Sequence, residues 1–258
     1  MNFFFRLGQS PVRLFVLAQL LILLAFIWKD FPIFIFFSFA PIFALIDHPS
    51  GLKDSYLAFI VAIVTVLGLY FVMHMQQSRI ISWVIYFALL GVVFTFYTLM
   101  QRLSKNAMNK FALVIFVMGT EYLLLKLMIE KNPVFLADVL ASKSIWTRWN
   151  TYTGYTGASL WILLTNLLFY QVFFKTQKIN WFLLTLAVMM ILVPIIYSLN
   201  ISAHALTRDD VVSLYSNPGT HHSNYSQRGE LISRTGAWVS VLIIIFTILK
   251  GQIKKGSR

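Results

Sequence analysis

The chain has 258 residues, of which 59% are hydrophobic and 12% are charged, and its formal net charge is +12. Soluble domains average about 45–50% apolar and about 25% charged residues, so this composition excludes an ordinary soluble protein and indicates a membrane protein. In a membrane protein, excess lysine and arginine lie in the cytoplasmic loops, where they face anionic lipid. Nucleic acid is therefore not a predicted partner. The chain has no cysteine, which excludes disulfides, thiolate metal sites and a cysteine nucleophile.

About 20 apolar residues cross the hydrocarbon core of a bilayer, and eight apolar segments predict one all-α polytopic membrane domain over residues 1–258. The segments are Pro11–Trp28, Phe31–Ile46, Tyr56–Met73, Ile80–Met100, Phe111–Ile129, Ala158–Phe174, Trp181–Leu199 and Ala237–Leu249. The first lacks a small-x-small cleavage site, so we expect a retained helix and not a cleaved signal peptide. The second is short and contains Pro32 and Pro41, which is typical of a re-entrant hairpin or a short tilted span.

Lysine and arginine are distributed unevenly between the loops. With the amino terminus inside, the cytoplasmic segments hold twelve of them, whereas the two short outer loops hold only Lys29 and Arg79. The positive-inside rule therefore predicts cytoplasmic amino and carboxyl termini and an even number of spans. Two outer segments, 130–157 and 200–236, then carry what the protein presents on the far side. The second is too short for an independent domain without a metal or a disulfide.

Glu121 is the one acidic residue inside the fifth apolar segment, in the stretch "VMGTEYLLLK". A carboxylate at membrane depth is unfavourable by several kcal/mol unless it is paired or faces water. It either lines a functional site inside the bundle or anchors a neighbouring helix by hydrogen bonds, and the sequence does not separate the two. Lys126 lies five residues away, about 140° around the helix, so we expect no direct pair.

The stretch "WNTYTGYTGASLWILLTN" leads from the first long outer segment into the sixth apolar segment without a charge. The aromatic residues before the helix start are typical of an interfacial aromatic belt; they are Trp149, Tyr152 and Tyr155, with Trp146 just upstream. The small residues that follow favour close helix packing, and Asn166 is a buried amide that needs partners. We favour a belt with packing, and the alternative is the rim of a lipid or substrate site. With Glu121 and Arg148, the residues Trp149, Tyr152, Tyr155 and Asn166 form the predicted lipid- or partner-binding set.

The second outer segment contains "HHSNYSQRGE". His221 and His222 are potential metal ligands, but no spacing here places two ligands on one helix face, so a solvated polar loop is the preferred interpretation. No phosphate-binding loop, zinc-protease motif or nucleophile elbow occurs in the chain, and we predict neither a metal nor a cofactor.

Four stretches resemble the apolipoprotein N-acyltransferases, inner-membrane enzymes that add the third acyl chain to bacterial lipoproteins. "TYTGYTGASLWILLTN" is similar to the segment before that family's sixth helix, and "DFPIFIFFSFAPIFALIDH" to its second helix. "VMGTEYLLLK" resembles its fifth helix, with Glu121 at the family's glutamate. "RGELISRTGAWVSVLIIIFTILK" is similar to the approach to the last helix, with Gly229, Glu230 and Arg234 matching. The resemblance implies eight helices with both ends in the cytoplasm of a bacterial cell.

One departure from that family decides the functional prediction. The family carries a nitrilase-like periplasmic domain between helices seven and eight, with the Glu, Lys and Cys that form and transfer a thioester. Here only residues 200–236 occupy that place, and the chain has no cysteine. Acyl transfer through a cysteine thioester is therefore impossible in this chain alone.

The sequence thus predicts a non-catalytic inner-membrane protein that binds a phospholipid or lipoprotein, or serves as the membrane subunit of a complex with other membrane or periplasmic proteins. Three alternatives remain open. The first is the membrane subunit of a split acyltransferase, and the second is a small enzyme that uses Glu121 or the histidine pair. The third is a transporter, which a single intramembrane acid and the lack of a repeat disfavour.

Overall fold

The computed structural model describes residues 10–28, 32–47, 77–104, 110–127, 133–176, 178–216 and 231–256. Every regular element in these ranges is helical. The α-helices are α1 Pro11–Ile27, α2 Ile35–Ser38, α3 Ala40–Asp47, α4 Gln77–Ser104, α5 Lys110–Leu127, α6 Asn150–Thr153, α7 Thr156–Tyr170, α8 Trp181–Asn200, α9 Arg208–Ser216 and α10 Leu231–Gly256. Two 3-10 helices, Pro32–Phe34 and Leu136–Trp146, and a π-helical turn, Gln171–Lys175, complete the set. The predicted span Tyr56–Met73 lies outside the described residues.

Four of these helices are long and apolar enough to cross a membrane, which confirms the prediction of an α-helical membrane protein. The qualifying stretches are Val84–Gln101, Thr156–Lys175, Trp181–Asn200 and Leu231–Lys250. The apolar stretches Pro11–Ala25 and Pro32–Asp47 are shorter. Helix α5 has 18 residues but contains three charged side chains. Eight spans and cytoplasmic termini remain predictions.

The second predicted span is a broken helix, in agreement with its two prolines. Helix α2 ends at Ser38, Phe39 forms a turn, and α3 begins at Ala40. Pro41 has no N–H group, so it cannot donate to the carbonyl four residues earlier, and the helix is interrupted there. The side chains of Phe36, Phe39 and Phe43 are buried, so the break lies inside the protein.

Helix α7 lies at the centre of the bundle, in contact with α3, α5, α8 and α10. The contact of α5 with α10 is close because both helices place small residues there. A Cβ atom on Gly236 would come within 2.8 Å of the Met118 Cβ, and one on Gly119 within 2.9 Å of the Ser240 Oγ. Small residues at such a crossing let two membrane helices approach closely.

Helix α8 contains Pro194, which leaves the Met190 carbonyl without its usual helical donor. The indole Nε1 of Trp161 on α7 donates a hydrogen bond to that carbonyl. One aromatic side chain therefore satisfies the proline-induced defect and joins the two helices.

Candidate functional site

Three helices, α4, α5 and α7, bring polar side chains together at two levels of the bundle. Tyr86 on α4 contacts Glu121 on α5, and eleven residues further along α4 the ring of Tyr97 lies beneath Lys110, 5.2 Å from its Nζ. Because α5 reaches these contacts in the opposite order, α4 and α5 are antiparallel. Eleven residues are about three helical turns. The two polar residues on each helix therefore lie on the same face of that helix, and the two levels lie roughly 16 Å apart.

Helix α7 follows the same spacing. Ser159 lies at the level of Glu121, and Tyr170, eleven residues later, donates a hydrogen bond to Asp47, which also pairs with Lys110. We call the first group, Tyr86, Glu121 and Ser159, the Glu121 level. The second group, which consists of Tyr97, Lys110 and Tyr170 with Asp47, is the Lys110 level.

The carboxyl group of Glu121 is fully buried. Its Oε1 accepts hydrogen bonds from the Tyr86 hydroxyl at 2.8 Å and from the Leu136 backbone N–H at 3.0 Å. No described residue gives Oε2 a hydrogen bond of ordinary length and angle. Glu121 is therefore an internal hydrogen-bond anchor that acts mainly through Oε1.

The Glu121 level holds the start of the 3-10 helix Leu136–Trp146. Three successive backbone N–H groups there have side-chain acceptors: Phe135 donates to Asp138 Oδ2 at 3.3 Å, Leu136 to Glu121, and Ala137 to Ser159 Oγ at 3.0 Å. The first N–H groups of a helix have no partner within the helix itself. Glu121 and Ser159 supply acceptors from two other helices, so they fix this segment against the bundle. We call residues 133–146 the strap.

Tyr155 joins the strap to the start of α7. Its hydroxyl donates a hydrogen bond to Asp138 Oδ1, and its ring meets that of Phe135 edge-on, with centroids 5.9 Å apart. Burial, with the charge of Asp138 as a second cause, raises the pKa of Tyr155 well above its usual value. Because that hydroxyl stays protonated over the neutral range, it remains a donor. Sequence reasoning missed Asp138, which lies within the predicted outer segment.

The loop after the strap is tied to the end of α8. Arg148 Nη1 donates to the Ile201 carbonyl at 3.0 Å, and the Trp149 indole donates to the Trp146 carbonyl at 3.1 Å. The Asn150 side-chain amide pairs with the backbone of Leu206: it accepts from the Leu206 N–H at 2.8 Å and donates to the Leu206 carbonyl at 3.2 Å. Residues 146–150 and 198–206 therefore form one cap, with the polar groups of Arg148 and Trp149 directed into it.

Two further predicted residues lie elsewhere. Tyr152 is 57% exposed on the outside of the cap. Asn166 is fully buried between the two levels, where its Oδ1 accepts from the Phe39 and Ala40 N–H groups at 2.8 and 3.1 Å. Its Nδ2 donates to the carbonyls of Ile35 and Ile162, both at 2.8 Å. Asn166 thus satisfies the backbone at the break between α2 and α3.

The sequence analysis also did not predict the Lys110 level. The Lys110 ammonium pairs with Asp47 at the end of α3, and the Tyr170 hydroxyl donates to the second oxygen of the same carboxylate. Burial lowers the pKa of Lys110, against the opposing effect of Asp47. This pair ties the ends of α3, α5 and α7 together. The eleven-residue spacing of Tyr86 with Tyr97, of Lys110 with Glu121 and of Ser159 with Tyr170 is the signal that was available in the sequence.

The six predicted binding residues thus do not meet in a single pocket. Glu121 and Tyr155 both hold the strap, Arg148 and Trp149 belong to the cap, Tyr152 is on its surface, and Asn166 lies deeper. Within the described ranges, no three His, Asp or Glu side chains are grouped to hold a metal ion. His221, His222 and Glu230 lie outside those ranges.

Comparison with known proteins gave no match. No family model, no curated protein and no solved structure is similar to the chain. The resemblance to apolipoprotein N-acyltransferases therefore stays a prediction from the quoted stretches.

Proposed function

We propose that this chain is a non-catalytic, multi-pass protein of the bacterial inner membrane that resembles the membrane domain of an apolipoprotein N-acyltransferase. It holds a phospholipid or lipoprotein, or serves as the membrane subunit of a complex with other membrane or periplasmic proteins. The observation that carries this proposal is the internal use of the polar groups that were candidates for chemistry. Glu121 holds the strap and Arg148 holds the cap, so both build a fixed platform.

A fixed platform suits binding better than it suits catalysis by these residues. A general base has to reach a substrate proton within hydrogen-bond distance, directly or through one water. The used oxygen of Glu121 is committed to Tyr86 and Leu136, and the carboxyl group is fully buried. With no cysteine in the sequence, a thioester intermediate has no carrier in this chain.

The proposed orientation has support from the two levels. Lys110 and Lys175 interact electrostatically, so they lie at the same end of the bundle. Lys178 follows three residues after Lys175. The positive-inside rule favours a cytoplasmic position for this end. We infer that the strap and the cap are then on the periplasmic side, where lipoproteins are presented.

The test is a paired measurement on the protein purified in mild detergent. Incubated with phospholipid and a diacylated lipopeptide, the protein alone should transfer no acyl chain, while an active N-acyltransferase run in parallel should do so. Mass spectrometry of the same preparation should identify a retained lipid, lipoprotein or partner protein. Robust turnover by the protein alone that Glu121→Gln abolishes would refute the proposal. Turnover that appears only with a co-purified cysteine-containing subunit would instead identify a split acyltransferase.

A further inference from the structure

Helix α7 is buried almost all the way round, except along one row of leucines. Of its 15 residues, Leu160, Leu164 and Leu168 are the ones that are partly exposed, and their buried parts pack against the core. Their intervals of four residues keep them within an arc of about 80°. Gln171 lies three residues further along the row and is also partly exposed. Lys175, at the end of the π-helical turn, is exposed. The row is thus apolar along most of its length and polar at one end.

This row adjoins the least buried helices of the bundle. Helices α8 and α10 both pack against α7, and only 17% of the membrane-crossing stretch of each is buried. Trp161, which follows Leu160, turns towards α8 through its hydrogen bond to Met190. The leucine row therefore borders α8 and is bounded by apolar surface.

The polar end of the row carries the side chains that are typical of the depth of lipid headgroups. Lys175 and Lys178 are both exposed, and the Thr176 hydroxyl contacts the carbonyls of Val172 at 3.3 Å and Lys178 at 2.7 Å, which fixes the turn that carries the two lysines. Trp181 is 72% exposed and Phe182 is 75% exposed at the start of α8. Exposed Trp at the end of an apolar helix is typical of the membrane–water interface.

We propose that an anionic phospholipid of the bilayer occupies this surface, with one acyl chain along Leu160, Leu164 and Leu168 and its phosphate beside Lys175 and Lys178. The row from Leu160 to Lys175 is about 22 Å long, which exceeds the roughly 15 Å depth of one leaflet's hydrocarbon and leaves length for a headgroup. The two lysines favour an anionic over a zwitterionic headgroup. The phosphate end of this site is at the end of α7 opposite the cap, and none of the residues that line the site belongs to the strap or the cap.

The charge is tested with phosphatidylglycerol and phosphatidylcholine of identical acyl chains, added to delipidated protein in detergent and measured by native mass spectrometry. The protein should bind phosphatidylglycerol more tightly. Lys175→Gln/Lys178→Gln should weaken phosphatidylglycerol binding about thirtyfold, which corresponds to about 2 kcal/mol, or about 1 kcal/mol for each lysine. The affinity for phosphatidylcholine should not change. Arg234→Gln, which removes an exposed cation near the start of α10, is the matched control and should leave both affinities unchanged.

The acyl contact is tested by filling the row. Leu164→Trp should weaken binding of both lipids several-fold, whereas Leu192→Trp on the exposed face of α8 should have no effect, and the melting temperature of each variant shows whether its fold is intact. Equal affinity for the two lipids in the unmodified protein would overturn the proposal. So would unchanged phosphatidylglycerol binding in the lysine double variant, or an equal loss with Arg234→Gln. None of these three results bears on lipopeptide or partner binding at the cap.

Discussion

Replacement of Glu121 separates its role as an anchor of the strap from a role in chemistry. In Glu121→Ala the Tyr86 hydroxyl and the Leu136 N–H both lose their buried hydrogen bond to the Glu121 carboxylate. An intramolecular hydrogen bond contributes about 0.5–1.5 kcal/mol net, so the loss of two should lower the free energy of unfolding by about 1–3 kcal/mol. Glu121→Gln keeps a carbonyl oxygen in the position of Oε1 and should lose much less.

The assay combines unfolding in detergent micelles with amide hydrogen exchange. In Glu121→Ala the peptide that contains Leu136 and Ala137 should exchange faster, because one of their two side-chain acceptors is gone. A double-mutant cycle with Tyr86→Phe should give a coupling energy of about 0.6 kcal/mol and at most about 1.7 kcal/mol, the average and the maximum for hydrogen bonds between membrane helices. If exchange in the strap and stability are both unchanged in Glu121→Ala, the anchor assignment is wrong.

Three further substitutions test the ties that hold the helices. Asn166→Leu should destabilise the protein by several kcal/mol, because it leaves the α2–α3 break without its acceptor and donor. Thermal unfolding measures the loss, and the Asn166→Asp variant, which keeps the acceptor, is the control. Trp161→Phe should cost about 1–3 kcal/mol, since the Met190 carbonyl loses its indole donor, and the same unfolding assay detects it. Gly236→Leu should separate α5 from α10, because even a Cβ atom there meets the Met118 Cβ at 2.8 Å. The cross-linking yield of a cysteine pair introduced across that crossing should fall.

The helices were predictable from the sequence where apolar runs are long, but their ends were not. The predicted segment Ala237–Leu249 corresponds to α10, which the structure extends to Leu231 and Gly256, and Ile80–Met100 corresponds to α4 at Gln77–Ser104. Polar residues end the stretch that can lie in hydrocarbon, but they do not end the backbone hydrogen bonds of a helix. Hydropathy therefore locates a span and underestimates the helix that contains it.

The site was less predictable because its contacts are distant in the chain. Glu121 was recognised as a residue that needs partners, yet Tyr86 is 35 positions away and nothing local identifies it. Asp47 and Tyr170 are 123 positions apart. The eleven-residue spacing on three helices contains the missing information, since it predicts which polar residues share a helix face. It does not predict which helices are neighbours, and that required the structure.

Tyr152 and Tyr155 give the sharpest test of whether the aromatic stretch is a binding rim. Tyr155 is buried and its hydroxyl holds Asp138, whereas Tyr152 is 57% exposed. Tyr155→Phe should therefore lower stability by about 1.5–3 kcal/mol, the usual range for a hydrogen bond to a charged group.

The pH dependence of that loss has a definite sign. The pKa of Tyr155 is raised in the folded protein, so its contribution is complete below the tyrosine's ordinary pKa of about 10 and is lost as the pH rises through the folded value. The stability of Tyr155→Phe should consequently fall less steeply than that of the unmodified protein above about pH 10.

Tyr152→Phe should leave stability unchanged, because its side chain is largely in solvent. If the stretch is a rim for lipid, lipoprotein or partner, its polar contacts come from exposed groups such as this hydroxyl. Retention of the co-purifying molecule should then fall about fivefold in Tyr152→Phe, the effect of losing a contact of about 1 kcal/mol. Full retention in Tyr152→Phe, together with reduced stability in Tyr155→Phe, would assign the stretch to folding of the cap and would move the binding surface elsewhere on the protein.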